Sequence, residues 1–453
     1  MAPAPPPPSA SVVIASRKRP EGLVRTLAAL RLQNHPAFEV VVAADARGLA
    51  ALDAAGLGKA VKRVPFDAAN LSAARNRGVT VSAGEVVVFI DDDAVPEPTW
   101  LGQLAAPFGD ASVGAAGGFV RGRNGFSFQW RASVADTCGR RREIAVHPAR
   151  PTLLQGDAGR AIRTEGTNCA FRRIALLEMG GFDEAIHFYL DETDLNLRLG
   201  AAGWATAILP MAQVQHGFLA GPLRRADRVP RDLFETGASL AYFGRRHGAP
   251  PDRAAALDEA RAEQRRRLLA HVIEGRIEPR EMRRLLARFD AGLAAGEVRQ
   301  GPVLPLTAAM PSPPPLLPFP ALGPGARGVL MVARPLYWRR ARAEARARAA
   351  AGEIVTLMAL SHTPRPQRIR FLAEGYWLVR GGVYGRAGRH EPFWQPSSLT
   401  ARARAEAARL AGLRPVDTIL VNGRLLAPQP DTTADSGECL VKRSGAHAAA
   451  RTQ

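Results

Sequence analysis

The sequence predicts an α/β fold with a central, mostly parallel sheet, a helical extension and a smaller α/β unit towards the C-terminus. Three observations predict it. Short, continuously apolar runs alternate with stretches of helical periodicity, the pattern of strands buried on both faces by covering helices. Acidic residues follow two of these runs, where an open parallel sheet places its ligands, beyond the strands' carboxyl ends. A proline-rich segment then separates this unit from a second strand, helix, strand series.

The elements read in order as follows. After a proline-rich lead over residues 1–10, Ser11 to Ala15 (SVVIA) is a buried strand, and Pro20 opens a helix with Leu23, Leu27 and Leu30 on one face. Phe38 to Ala43 (FEVVVA) is a strand, Leu71 to Ser82 a helix stopped by Gly84, and Val86 to Ile90 (VVVFI) another strand. A strand at Ala115 to Val120, variable loops between Gly122 and Gly166, helices near Arg172 to Met179 and Asp191 to Ala202, and a strand at Ala205 to Leu209 complete a unit assigned to residues 11–244. Residues 245–300 are charged and helical in pattern, the expected extension. Residues 301–325 read as an extended, semi-rigid connector at a domain boundary. Residues 326–427 hold Gly328 to Ala333, an Arg- and Ala-rich helix near Arg339 to Ala351, and Ile354 to Leu360, a small basic α/β domain of unassigned role. Residues 428–453 read as a loose tail.

Composition narrows the function classes. With 453 residues, 46% hydrophobic and 23% charged, the chain is neither wholly disordered nor a fibrous repeat. Its formal charge of +19 raises nucleic-acid binding, but only four of the 61 basic residues are lysines, and residues 301–453 hold 21 basic against nine acidic residues. Most of the excess thus lies outside the first unit. No nucleic-acid module or interleaved aromatic platform accompanies it, which argues against that partner. An anionic membrane surface or a charged polymer acceptor, met peripherally, fits the excess better. Cys138, Cys169 and Cys439 are scattered, without the spacing of a disulfide framework or a zinc site. With no signal-peptide pattern and no run of ~18 apolar residues, the expected location is cytoplasmic, at most at the inner face of a membrane.

The strongest local signal is Asp91, Asp92 and Asp93 directly after VVVFI. Three adjacent carboxylates repel unless a cation or water resolves them, and hard oxygen donors favour Mn²⁺ or Mg²⁺. A solvated acidic turn, or the cap of a helix after Pro98, would account for them too. Asp191, Glu192 and Asp194 open a helix whose N-terminal dipole by itself favours acids. His216 follows an apolar strand, as a metal ligand or as a structural histidine.

In series, SVVIASRKRPEGLVRTLAAL, FEVVVAADARG, NLSAARNRGVTVSAGEVVVFIDDDAVPEPTWL and EGTNCAFRRIALLEMGGFDEAIHFYLDETDLNLRLGAAGW resemble the family 2 glycosyltransferases over roughly residues 10–218. The resemblance implies the GT-A fold and an inverting transfer from a nucleoside-diphosphate sugar. It implies donor contacts from Ser16, Arg17, Asp45, Arg75, Asn76, Asp91 and Asp92, with Asp45 on the donor base, commonly uracil. It implies a Mn²⁺ or Mg²⁺ ion on Asp93, Asp91 and His216. Where the family usually has Glu-Asp, this chain has Asp191-Glu192, so Glu192 aligns with the usual base; Asp191 is the alternative base, and Asp191 and Asp194 fall on the acceptor side. Ala44 stands where the family usually has an acid.

The reaction so implied is direct displacement at the anomeric carbon by a hydroxyl of a glycan, a lipid-linked or a surface polysaccharide precursor. A catalytically silent nucleotide-sugar-binding or scaffold protein of the same fold is the alternative. A nucleotidyltransferase would need a Gly-rich phosphate loop that the chain lacks.

Overall fold

Val12, Ile14, Val40, Val42, Val86 and Val88 are all fully buried, because the apolar runs that carry them lie side by side in one sheet. The computed structural model describes residues 6–217 and 219–427; the expected tail at 428–453, with Cys439, and the first half of the proline-rich lead fall outside them. The first part of the chain runs β1 (Ala10–Ser16), α1 (Pro20–Leu30), β2 (Phe38–Ala44), α2 (Ala46–Ala54), β3 (Lys62–Pro65), α3 (Leu71–Val81), β4 (Val86–Phe89), β5 (Ala94–Pro96), α4 (Trp100–Ala105) and β6 (Val113–Arg121). Next come β7 (Phe128–Trp130), β8 (Ser133–Asp136), β9 (Arg141–Glu143), β10 (Thr152–Gln155), β11 (Arg160–Arg163), β12 (Cys169–Arg172), α5 (Arg173–Glu178), α6 (Asp191–Ala201) and β13 (Ala205–His216).

The large sheet has the order β10-β13-β6-β12-β4-β1-β2-β3, with β5 and β7 attached to β13 and β6. Strands β3, β2, β1 and β4 are mutually parallel, as are β6 and β13, while β12 runs antiparallel between β4 and β6. This is the expected mixed α/β architecture with a large, mostly parallel sheet. Two expectations need correction. The segment 122–166 holds five short strands, three of them in a separate sheet of order β11-β8-β9; single strands of three or four residues leave little periodicity to read. The strand starting at Ala205 continues through Pro210 to His216, a register shift at Leu209/Val214 absorbing the interruption.

Three helices follow, α7 (Phe234–His247), α8 (Pro250–Ile273) and α9 (Pro279–Val298). The helical extension therefore starts earlier than residue 245. Helices α7 and α9 meet backbone to backbone, since a Cβ on Gly237 would lie 2.4 Å from Phe289 O and one on Gly292 2.1 Å from Phe234 O. Only glycine permits that approach.

The proline-rich segment is no free connector. Val303 N donates to Asp183 Oδ1 (2.9 Å), Leu317 N to Glu39 Oε2 (2.8 Å), Phe319 N to Phe38 O (2.9 Å) and Leu322 N to Arg31 O (2.7 Å). Leu306 and Phe319 are buried in the cores on opposite faces of the large sheet. The segment is a strap, because prolines without N–H groups can lie against a domain with few backbone donors left unpaired.

The strap leads into β14 (Gly328–Ala333), α10 (Trp338–Ala350), β15 (Ile354–Ser361), β16 (Arg368–Phe371), β17 (Trp377–Gly382), α11 (Leu399–Leu410), β18 (Thr418–Val421) and β19 (Arg424–Leu425). They form a sheet of order β16-β17-β15-β14-β18-β19, with β17, β15, β14 and β18 parallel. One apolar cluster holds Ala29, Leu32, Val95 and Phe126 together with Leu330, Met358, Ile369 and Trp377, so the small sheet shares a core with the first unit.

Candidate functional site

Strand β4 ends at Phe89, and the chain passes through Asp91, Asp92 and Asp93 into β5. β5 pairs antiparallel with the end of β13, setting Ala94 opposite His216. This pairing brings the imidazole to the acids: His216 Nε2 lies 3.1 Å from Asp93 Oδ1 and 3.8 Å from Asp91 Oδ2. Asp91, Asp93 and His216 can each offer a ligand atom within 4.8 Å of one another. Two carboxylates and a neutral imidazole suit a hard to borderline divalent ion such as Mn²⁺. Asp93 is further fixed by Leu219 N (2.7 Å) and Arg19 Nη1 (3.2 Å) on Oδ2. Burial raises its carboxyl, but His216, Arg19 and the Leu219 N–H outweigh burial and hold it down at about 2.

Asp92 faces the other way. It is fully buried, accepting from Ser16 Oγ (2.8 Å) and pairing with Arg19 Nη2 (3.1 Å). Burial pushes it up to about 7, with Arg19 and Ser16 opposing and Asp93 reinforcing the rise. Ser16 and Asp92 thus build the wall of the site, and the expected donor contact from Asp92 is corrected on that ground.

On the opposite side, α6 begins with Asp191 immediately after Tyr189 and Leu190, whose φ angles of 75° and 68° are left-handed. Two bulky residues in that region cost on the order of 1–3 kcal/mol each and persist where surrounding structure dictates them. Asp191 is buried in an ion pair with Arg75 Nη1. Arg75 Nη2 also donates to Gly166 O (2.9 Å) and lies 3.8 Å from Asp91 Oδ1, while its guanidinium sits 5.3 Å from the Phe182 ring centroid. Arg75 therefore joins the metal-type acids to the start of α6. Burial pushes the Asp191 carboxyl up to about 7 against the pull of Arg75, with Glu192 adding to the rise. Glu192 Oε1 is held more loosely, 3.4 Å from Arg163 Nη2, and its side chain is 11% exposed against 3% for Asp191.

Other expected residues have different work. Asp45 caps α2, accepting from Gly48 N (2.8 Å), and ties down the turn after β1 through Lys18 N (2.7 Å). Arg17 pairs with Asp67 at 2.9 Å. Asn76 is a correction: it is buried and grips Phe182 by both backbone groups, accepting from its N (2.9 Å) and donating to its O (2.8 Å). Asp194 is another. Fully buried, it binds Arg198 (2.7 Å), Arg246 (3.1 Å) and His247 (2.8 Å), so it fastens α6 to α7 and offers nothing to an acceptor. Trp204 and Phe182 pack as core, and Gly180 and Gly181, both left-handed, close α5.

Three site residues are not among those the sequence led us to expect: Arg19, Arg163 and Glu165. Arg163 lies 3.6 Å from Glu165 and 3.4 Å from Glu192. Burial raises Glu165 against the pull of Arg163. The basic turn SRKRP after the first strand was the available signal for Arg19; Arg163 and Glu165 stand in a segment with no spacing to mark them.

Residues 6–226 match the family model described as "Glycosyltransferase like family 2", so the chain carries a glycosyltransferase family 2-like domain. Among curated relatives, the N-acetylglucosaminyl-diphospho-decaprenol L-rhamnosyltransferase of Mycobacterium tuberculosis is 43% identical over 51 residues, 11% of this chain and 17% of that protein. The pre-mycofactocin glycosyltransferase of the same species is 29% identical over 190 residues, 41% of this chain and 37% of that one. The chain thus spans well under two thirds of either relative. Among solved structures, the mannosyltransferase of Pyrobaculum calidifontis in complex with GDP-Man and Mn²⁺ is 16% identical, with a TM-score of 0.39, over 65% of this chain and 88% of that one.

Proposed function

We propose that the first unit is an inverting glycosyltransferase that moves a sugar from a nucleoside-diphosphate donor, UDP-linked by our reading, to a hydroxyl of a glycan or lipid-linked acceptor, working peripherally at an anionic membrane surface. One observation carries the proposal: Arg75 lies within 3.8 Å of Asp91 while paired with Asp191, so a cation-type cluster and a carboxylate helix stand side by side. Asp91, Asp93 and His216 would hold Mn²⁺ or Mg²⁺. When bound, the ion supplies neutralisation of the departing diphosphate.

The chain's own residues do the rest. Glu192, the less buried carboxylate of the pair, takes the proton of the acceptor hydroxyl. Arg163 holds its Oε1 side. Asp191, locked by Arg75, fixes the helix start and orients the acceptor. A single base with no nucleophile of its own gives one displacement and inverted configuration, unlike the carboxylate pair of a retaining glycosidase. Arg19, which already balances Asp92 and Asp93, favours the second reading, a nucleotide-sugar binder without turnover.

Nucleoside-diphosphate release from a panel of sugar donors with Mn²⁺ separates the two. Turnover that falls by a factor on the order of 10²–10⁴ in Glu192→Gln, with donor binding kept, supports the transferase. Donor binding without turnover in the natural chain supports the silent binder.

A further inference from the structure

The parallel strands β14, β15, β17 and β18 send the loops after them to one end of the small sheet. At that end the chain exposes Leu336 (86%), Phe393 (60%), Trp394 (57%) and Leu425 (72%). The loops are linked by a row of rings, His362 to Tyr384 at 6.4 Å and Tyr384 to Trp394 at 6.3 Å. Large apolar residues so exposed and so grouped mark a contact surface.

Arginines crowd the same end. Arg334, Arg339, Arg340, Arg365, Arg389 and Arg424 are all exposed and follow the carboxyl ends of these strands. At the opposite end Glu353 and Asp417 directly precede β15 and β18 and Glu374 lies three residues before β17, and there Glu353 and Glu374 are matched by Arg348 (3.0 Å) and Arg346 (2.7 Å). Among the described residues of these loops the acid at the arginine end is Glu391, whose Oε2 is engaged by Ala387 N (2.9 Å) and Gln395 Nε2 (3.2 Å). Arg339 and Arg340 occupy the first turn of α10, the end of a helix where the dipole disfavours a cation. Across the outer pair of strands, Arg368 stands directly opposite Arg380, a like-charge pairing that costs the sheet stability. Arg380 lies over the Trp338 ring at 5.8 Å, and an anion at either position would relieve the remaining repulsion.

We propose that the carboxyl end of the small sheet is a membrane-binding face that takes an anionic lipid bilayer, its arginines on the headgroups and Leu336, Phe393, Trp394 and Leu425 at the headgroup and acyl boundary. This rests on the peripheral placement proposed above and assigns it a surface. Aromatic and aliphatic tips beside arginines suit that boundary, where aliphatic chains are buried and guanidinium groups stay at the phosphates. A nucleic acid would use the arginines and the rings but leave Leu336 and Leu425 exposed. No helix among the described residues is long and apolar enough to cross a membrane, so the face acts by contact.

The test is flotation of the full chain with phosphatidylcholine vesicles, alone and with phosphatidylglycerol, at low and moderate salt. The natural chain is expected to float only with phosphatidylglycerol, less at moderate salt. The pairs Arg339→Gln with Arg340→Gln, and Leu336→Ser with Trp394→Ser, should each weaken flotation by on the order of tenfold or more, with nucleotide release from donor unchanged. A natural chain that does not float overturns the peripheral placement itself. A natural chain that floats as well as both pairs overturns this face and leaves the placement standing. Retention of an RNA oligonucleotide by the natural chain, lost in the arginine pair, without vesicle binding would assign the face to nucleic acid instead and overturn the lipid reading.

Discussion

Glu97 and Arg414, 317 positions apart, form a two-pronged ion pair whose side chains are 6% and 2% exposed. Arg414 also donates to Thr356 Oγ1 (2.9 Å), and its guanidinium lies 3.7 Å from the centroid of Trp377. Glu97 directly follows β5, the strand that aligns Asp93 with His216. The C-terminal unit therefore holds the far end of the turn that carries the acids. Arg414→Met should cost about 3–5 kcal/mol of stability in urea unfolding, because it takes the two-pronged partner from a buried carboxylate. Adding Glu97→Gln should recover part of the loss. A cost below about 1 kcal/mol for the single variant would show that the pair is not closed to water.

The three-donor cluster makes a direct prediction for metal. Asp93→Asn and His216→Ala should each weaken Mn²⁺ binding, followed by electron paramagnetic resonance, by on the order of 10-fold or more. Asp92→Asn should not do so by removing a ligand, since Asp92 faces Ser16 and Arg19. Equal loss in all three variants would refute the division of labour.

Asp191 sets a pH dependence. Its carboxyl, raised to about 7 by burial, carries its proton below that pH and is ionised above it. Only the ionised form holds Arg75 fully, so turnover should rise through about pH 7. A raised carboxyl also costs the fold stability as pH climbs from its unfolded value towards 7. Asp191→Asn should flatten the rising limb of the rate profile and remove that loss of stability. A limb that persists unchanged in the variant assigns it to another group.

Asp194 titrates in the opposite sense. Burial raises it, but Arg198, His247 and Arg246 outweigh burial and hold it at about 2. Its stabilisation is complete above the unfolded value near 4 and is lost as pH falls towards about 2. Asp194→Asn should lower stability at neutral pH by about 3–5 kcal/mol and remove that share of the acid sensitivity, measured by thermal unfolding between pH 2 and 5.

The strands of the large sheet were legible because both of their faces are buried, so β1, β2 and β4 are unbroken apolar runs. Asp91, Asp93 and His216 were legible for a related reason, each standing at the end of such a run. What the sequence concealed depends on partners far along the chain. Asn76 looks like a ligand-binding amide until Phe182 is placed against it. Asp194 resembles its neighbours Asp191 and Glu192 until α7 supplies Arg246 and His247. The strap stays hidden in the sequence because proline content signals an extended backbone but is silent on what that backbone lies against.

That strap also bears on synthesis at the ribosome. Leu306 and Phe319 plug the two faces of a sheet whose first strand was translated roughly three hundred residues earlier, and Arg414 is made later still. At about 5–20 residues per second, the interval between completing the helical extension and delivering Arg414 is on the order of ten seconds. Throughout it Glu97 lacks the two-pronged partner that Arg414 provides. A chain cut short at residue 300 lacks Leu306 and Phe319, leaves their places in the two cores open, and is expected to aggregate.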